Sequence, residues 1–215
     1  MPRPARVSPD RILDAAALEF AARVYAGARV DHIARRGRVN KAMLYYHFGS
    51  KQGLYRALLR RTFGAIAADL QAIASGPLDP ASRLDAAVSA FVRHIETHAH
   101  FPSIMLREVA EGGTHLDADT MAAVAAVPQA FAAILKPGVE DGVFDGVHPL
   151  SAYFITIAPI VMFVASAPLR AQAAQRRISP TVVGRRISTD AFMADVKRAL
   201  QRAFAARSSV HQGRS

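Results

Sequence analysis

The chain has no cysteine among its 215 residues. Disulfides, thiolate chemistry and Cys-based zinc sites are therefore excluded. Acid is scarce where base is plentiful: residues 1–61 hold 13 Lys or Arg against 4 Asp or Glu, a net of +9 out of +10 for the whole chain. The rest of the chain is close to neutral, with 14 basic and 13 acidic residues. Strand alternation of useful length is missing, and so is any internal repeat. The opening MPRPARVSPD lacks the apolar core of a signal peptide, so the cytoplasm is the expected location. No nucleophile–base pair and no converging ligand set stands out. No catalytic residue, resident metal or cofactor is expected.

What is present reads as globular, with 51% hydrophobic and 20% charged residues. The charge asymmetry points to a polyanion-binding module on a neutral body. RNA or a membrane surface would attract the same charge, so the charge alone does not select DNA.

The spacing predicts helices from end to end. Residues 1–7 read as a basic arm. Ser8-Pro9-Asp10 is a helix start, with a Ser cap, Pro in the first turn and an acid beside it. Ile12, Ala16, Phe20 and Val24 mark its inner face. A two-turn helix follows over 30–36, and Gly37 is expected to stop it in the left-handed conformation. Asn40 is positioned to cap a short helix over 41–47, and Ser50 to cap a long one from Lys51 to about residue 74. Further helices are expected near 81–99, from the His100-Phe101-Pro102 break to about 111, near 118–141 with disturbances at Pro128 and Pro137, through the apolar run 152–169, and over 189–206. Residues 170–187 read as basic and irregular. The expected fold class is all-α, with about nine helices.

Within this pattern, Val30–Gly53 (VDHIARRGRVNKAMLYYHFGSKQG) holds five Lys or Arg and one acid, Asp31. A supporting helix, a sharp corner and a second short helix are the parts of a helix–turn–helix, whose second helix enters the major groove. Ile33, Ala34, Val39, Leu44 and Phe48 would face inward. Lys41, Ala42, Met43, Tyr46 and His47 would face out, with Arg38, Asn40 and Tyr45 beside them. Lys41 suits a phosphate or a guanine edge, and Ala42 or Met43 a thymine methyl. Tyr46, His47 and Lys51 suit phosphates. The rival reading makes Tyr45, Tyr46 and Phe48 a local aromatic core and the arginines a solvated face.

These residues carry a family resemblance. RILDAAALEF (11–20), HIARR (32–36), VNK (39–41), LYYHF (44–48) and SKQGLYRALL (50–59) are similar to the DNA-binding domain of the TetR/AcrR family of bacterial repressors. The Ile-Ala pair with the Leu-Tyr-Tyr-His-Phe run eleven residues on is specific. There are departures. Val24 stands where the family usually has glycine, and Ala28-Arg29 where a Thr or Ser caps the second helix. Gly37-Arg38 replaces an Ala-Gly corner, and Ala42-Met43 replaces Gly-Thr. A lost cap costs about 1 kcal/mol, and an Arg38 forced to positive φ a similar amount. Met43 lacks the hydroxyl that would contact a phosphate.

The resemblance implies a DNA-binding domain over 1–53, a helical ligand-binding and dimerisation domain over 54–207, and a tail over 208–215. It implies double-stranded operator DNA, a small-molecule effector and a second copy of the chain as partners. The effector pocket is expected from His94, His98, Phe101, Met105, Phe131, Tyr153, Phe154 and Met162. The dimer interface is expected from Ile160, Phe163, Val164, Phe192, Val196, Leu200 and Phe204. Arg107, Glu108 and Glu111 are expected to pass a ligand signal to the reading head. The run 152–169 is long enough to rival a membrane span. It contains Thr156, Pro159 and Ser166 and has no positive flank before it, so no membrane partner is expected. Two other classes compete: a metal-dependent enzyme or sensor built on His94 and His98, and a helical adaptor whose basic head binds other polyanions. The leading expectation is a repressor released from a pseudopalindromic operator by an apolar small molecule.

Overall fold

The computed structural model describes residues 8–176 and 187–206. The basic arm 1–7, the segment 177–186 and the tail beyond 206 lie outside the described residues. Ten helices and no strand occupy the described part. They are α1 Pro9–Gly27, α2 Val30–Gly37, α3 Lys41–Phe48, α4 Lys51–Ser75, α5 Pro80–Thr97, α6 Phe101–Ala110, α7 Ala118–Glu140, α8 Pro149–Ala165, α9 Ala167–Gln175 and α10 Thr189–Phe204. The all-α expectation holds.

The tenth helix is α9, where an irregular basic segment was expected. Ser166 ends α8, and Pro168 in the first turn starts a new helix bent by 45° from α8. Arg170 secures the bend by donating to the Phe163 carbonyl and Ser166 Oγ, its guanidinium 4.0 Å from the Phe163 ring centroid. Helix α7 is uninterrupted, with Pro128 and Pro137 inside it. By length and composition α7 could cross a membrane, and so could the bent pair α8–α9. Both also supply core: Phe131, Ile134, Ala152, Thr156 and Ile160 are completely buried.

The helices group into two compact units: Met1–Ala67 with Ile95–Val127, and Ala68–His94 with Pro128–Ser215. In the first unit, α6 returns to pack on α1. Its core is Ile12, Ala16, Phe20, Ile33, Leu44, Leu54, Leu58 and Leu59. Phe20 meets Tyr55 edge-on at 4.9 Å, and Phe63 meets Phe101 at 5.1 Å. In the second unit, Phe91, Phe131 and Tyr153 form an aromatic cluster beside Leu84, Val88 and Leu135. Burial pushes the Tyr153 hydroxyl up to about 12. The loop after α7 pairs with the end of α10 through Phe144 and Ala205.

Among the described residues, two other than glycine have positive φ. One is Arg38, at φ 52°, ψ 44°. Gly37 was expected to make this turn, yet it stays helical and buried. Arg38 N–H bonds to the Arg35 carbonyl at 3.1 Å and Val39 N–H to the Ala34 carbonyl at 2.9 Å. That pair of bonds is the Schellman closure, which places Arg38 at the position glycine prefers. The corner thus keeps its geometry with the wrong residue in it. The other is Val24, at φ 59°, ψ 162° inside α1. The backbone there occupies a region almost confined to glycine, and a β-branched side chain worsens it. The strain turns Val24 away from the inner face, leaving it 39% exposed. Val24→Gly should therefore stabilise the protein by about 1 kcal/mol or more. The double change Gly37→Ala with Arg38→Gly should add about 1 kcal/mol, because a Cβ at Gly37 meets Ala15, Val39 and the Arg11 carbonyl at ordinary contact distances. Thermal melts check both, and a fall in Tm for Val24→Gly would contradict the strain.

Candidate nucleic-acid interface

The site grows from the corner between α2 and α3. Asn40 caps α3 as expected, its Oδ1 accepting the Met43 N–H at 2.7 Å. Leu44 points inward and is fully buried. With that position fixed, helical geometry turns Lys41, Ala42, Tyr45, Tyr46 and His47 to solvent. Tyr46 is 81% exposed and Tyr45 41%. An exposed tyrosine pair on a capped helix two turns long does not fit the rival reading of a local aromatic core. Phe48 and Met43 are half-buried, and Arg38 is exposed at the corner.

The basic residues differ in how they are held. Lys41 Nζ lies 2.9 Å from Asp31 Oδ1, with both side chains half exposed. The ammonium beside Asp31 holds that carboxyl below the usual range, and the carboxylate raises Lys41 in return. A phosphate approaching Lys41 must compete with Asp31. Lys51 was expected on a phosphate but has other partners. Its ammonium donates to the carbonyls of Tyr25 at 3.0 Å, Ala26 at 3.3 Å and Ala28 at 3.3 Å, and lies 4.6 Å from the Tyr25 ring centroid. These are the orphan carbonyls at the end of α1, where a cation is favourable. Lys51 fastens the first turn of α4 to α1.

Sequence reasoning missed several supporting residues. Glu19 is buried, and its Oε1 accepts the Arg29 N–H at 3.2 Å and faces His32 Nδ1 at 3.1 Å. Arg29 has no side-chain cap at the start of α2. A carboxylate ten residues away does that work, a relation that no local pattern announces. Arg61 binds Asp10 and Asp14, tying α4 to the first turns of α1. Of the residues expected to pass a ligand signal, Arg107 bonds α1 and Glu108 bonds α4, while Glu111 faces His115 at 3.4 Å. Arg107 donates to the Ala21 carbonyl at 2.6 Å, and Tyr55 donates to Glu108 Oε2 at 2.8 Å. Burial and that bond raise the Tyr55 hydroxyl strongly.

The residues expected to line an effector pocket separate. His98 and Phe101 line an apolar cavity of about 240 Å³ in the first unit, with Ala17, Leu18, Leu58 and Ile104. His94 belongs to the second unit and faces Asp69 at 3.0 Å. Phe131 is completely buried in the aromatic core, Met105 is half-buried, and Phe154 and Met162 are exposed at 57% and 54%. The expected interface set also divides. Ile160, Val196, Leu200 and Phe204 are buried within the chain itself. Phe163 and Phe192 stack at 4.0 Å and are half-buried, as is Val164.

A capped supporting helix, a Schellman corner and an exposed recognition helix define a helix–turn–helix protein with a large helical body. The chain belongs to the TetR family: residues 12–58 match the model of bacterial regulatory proteins of that family, and residues 80–194 match a tetracyclin repressor-like C-terminal domain. It is a family of transcriptional regulators and not of enzymes. The chain is 40% identical over 86 residues to the HTH-type transcriptional activator FasR of Mycolicibacterium smegmatis, covering 40% of this chain and 39% of that one. It is 26% identical over 137 residues to the HTH-type transcriptional repressor NicS of Pseudomonas putida, covering 64% of each. The matches thus span less than two thirds of these relatives. The structure of the regulator FadR from Bacillus subtilis, solved in complex with stearoyl-CoA, superposes with a TM-score of 0.69 at 15% identity, over 91% of this chain and 99% of that one. At that identity it shows the fold alone.

Proposed function

We propose that the protein is a ligand-responsive transcriptional regulator that binds a pseudopalindromic operator as a dimer. The observation that carries this reading is the outer face of α3, with Tyr46 81% exposed beside Lys41, Ala42 and His47. Arg38, Tyr45, Tyr46 and His47 contact phosphates and Lys41, Ala42 and Met43 reach base edges. Asn40 and Lys51 are positioning residues, one holding α3 and the other docking α4 on α1. Relatives named as an activator and as a repressor leave the sign of regulation to experiment. The ligand relieves repression.

The effector is an apolar small molecule. The cavity between α1, α4 and α6 supports this, since most of its wall is apolar, with Asp14, Arg61, Thr62, Thr97, His98 and His100 as its polar lining. An occupant there would touch α1 of the reading head and α6 together, and could favour one arrangement of the two. FadR's complex with stearoyl-CoA supports an apolar class of ligand without naming this one.

Selection from random duplexes should yield a palindromic motif. With that operator, Tyr46→Ala should weaken binding several-fold and reduce the slope of log affinity against log salt by about 1. Lys51→Ala should lower Tm and leave the salt slope unchanged. Selection with Met43→Thr should return a changed motif. Failure to select any motif, or full affinity in Tyr46→Ala, would overturn the reading.

A further inference from the structure

The end of α6 and the loop after it bring together three side chains that the DNA-reading role does not use. Glu108 lies in the last turn of α6 and Glu111 caps its C-terminal end. Gly112 and Gly113 follow at φ 72° and 76°, successive left-handed residues that turn the chain back. The turn is closed by the Gly113 N–H on the Glu108 carbonyl at 2.9 Å. It brings His115 over the carboxylates, with Nδ1 3.0 Å from Glu108 Oε2 and 3.4 Å from Glu111 Oε2. One donor atom from each of the three lies within 4.8 Å of the others.

We propose that Glu108, Glu111 and His115 form a binding site for a divalent transition-metal ion of the zinc class. Ligands at about 2.1 Å around a tetrahedral centre are about 3.4 Å apart, close to the spacing found here. Two carboxylates and one neutral imidazole suit such an ion in both charge and donor type. The site is built before any ion arrives. Glu108 is 1% exposed, and its Oε2 accepts from Tyr55, the outer hydrogen bond that orients a ligating carboxylate. The His115 N–H donates to Glu108 Oε1 at 3.1 Å, and its carbonyl accepts from Arg56 Nε at 2.7 Å. The ring packs on Tyr25, with centroids 3.9 Å apart. A cavity of about 10 Å³ adjoins the two carboxylates beside Tyr25 and Tyr55, about the room a single water needs.

The neighbouring cations are committed elsewhere. Arg107 also lines that cavity, but its guanidinium bonds the Phe20 and Ala21 carbonyls. Arg56 is paired with Asp117.

The test needs no operator, so its outcome is separate from the DNA-binding reading. The full chain without an affinity tag is titrated with Co²⁺ and then Zn²⁺, followed by d–d absorption and metal analysis. One Co²⁺ per chain with an intense low-symmetry band, displaced by Zn²⁺, is expected. Glu111→Gln, at a partly exposed position that leaves the fold alone, and His115→Ala should each weaken binding by about 100-fold. Tyr55→Phe should weaken it by about tenfold. Absence of stoichiometric uptake, unchanged affinity in both Glu111→Gln and His115→Ala, or loss of binding in His94→Ala or His98→Ala instead would overturn the assignment.

Discussion

Gly53→Ala should disable the reading head while leaving most of the helical content in place. Gly53 lies in the first turn of α4, where its N–H bonds Ser50 Oγ at 2.9 Å. A Cβ at this position would stand 2.1 Å from the Phe48 carbonyl oxygen and 3.3 Å from its carbon. The atoms met are backbone, so no rotamer change relieves the clash. They belong to the last residue of α3, the recognition helix. The same carbonyl accepts the Ser50 N–H at 2.8 Å, which holds the corner tight. Either α3 moves from α4 or the corner bonds break. Forced overpacking of this kind costs about 3 kcal/mol. The displaced helix should also lose base contacts worth about 1–3 kcal/mol each, lowering operator affinity by about 10- to 100-fold or more. Circular dichroism melts and operator titrations measure the two effects. A variant with wild-type Tm and affinity would show that α3 and α4 do not approach this closely.

Much of this corner was legible in the sequence because its determinants are local. Ser8, Asn40 and Ser50 sit at helix starts and bond the N–H groups their positions predict. The alternation of buried Ile33, Ala34 and Leu44 with exposed neighbours follows helical period. What escaped was non-local or geometric. Glu19 serves α2 from ten residues away, and Lys51 reaches α1 across more than twenty. A lysine beside a reading helix suggests phosphate, and only the fold reveals the carbonyls it meets instead. Arg38 took the turn assigned to Gly37 because closure of the Schellman bonds fixes which residue goes left-handed, whatever its identity. His115 attracted no notice, because the double-glycine turn that carries it back over Glu108 has no periodic signature. In the body, periodicity identified which residues share a face but not whether that face packs inward or outward.

That ambiguity has its largest consequence at the dimer. Val196, Leu200 and Phe204 of α10, with Ile160 of α8, are 8% exposed or less within a single chain. Their side chains pack within the chain, and Val196 and Leu200 also reach the floor of a groove between α8 and α10. The unpartnered apolar surface of α8 and α9 lies elsewhere: Phe154, Ile155, Met162 and Leu169 are 57%, 49%, 54% and 67% exposed. That groove, of about 360 Å³, is lined by Ile155, Pro159, Phe192, Asp195, Val196, Ala199, Leu200 and Ala203. Several exposed apolar side chains on neighbouring helices suit an interaction site, and self-association is the use the proposed function requires. Ile155→Asp with Met162→Asp should convert a dimer at micromolar concentration into a well-folded monomer, as read by light scattering and an unchanged melt. Coupling of two reading heads contributes about 10²- to 10⁴-fold to binding of a two-site duplex, so affinity for the full palindrome should collapse toward that of a half-site. Leu200→Ala should behave differently, lowering Tm through a cost of about 2–5 kcal/mol without selective loss of the dimer. A wild-type chain that is monomeric at micromolar concentration, or a dimer indifferent to the two aspartates but broken by Leu200→Ala, would return the interface to the inner face of α10.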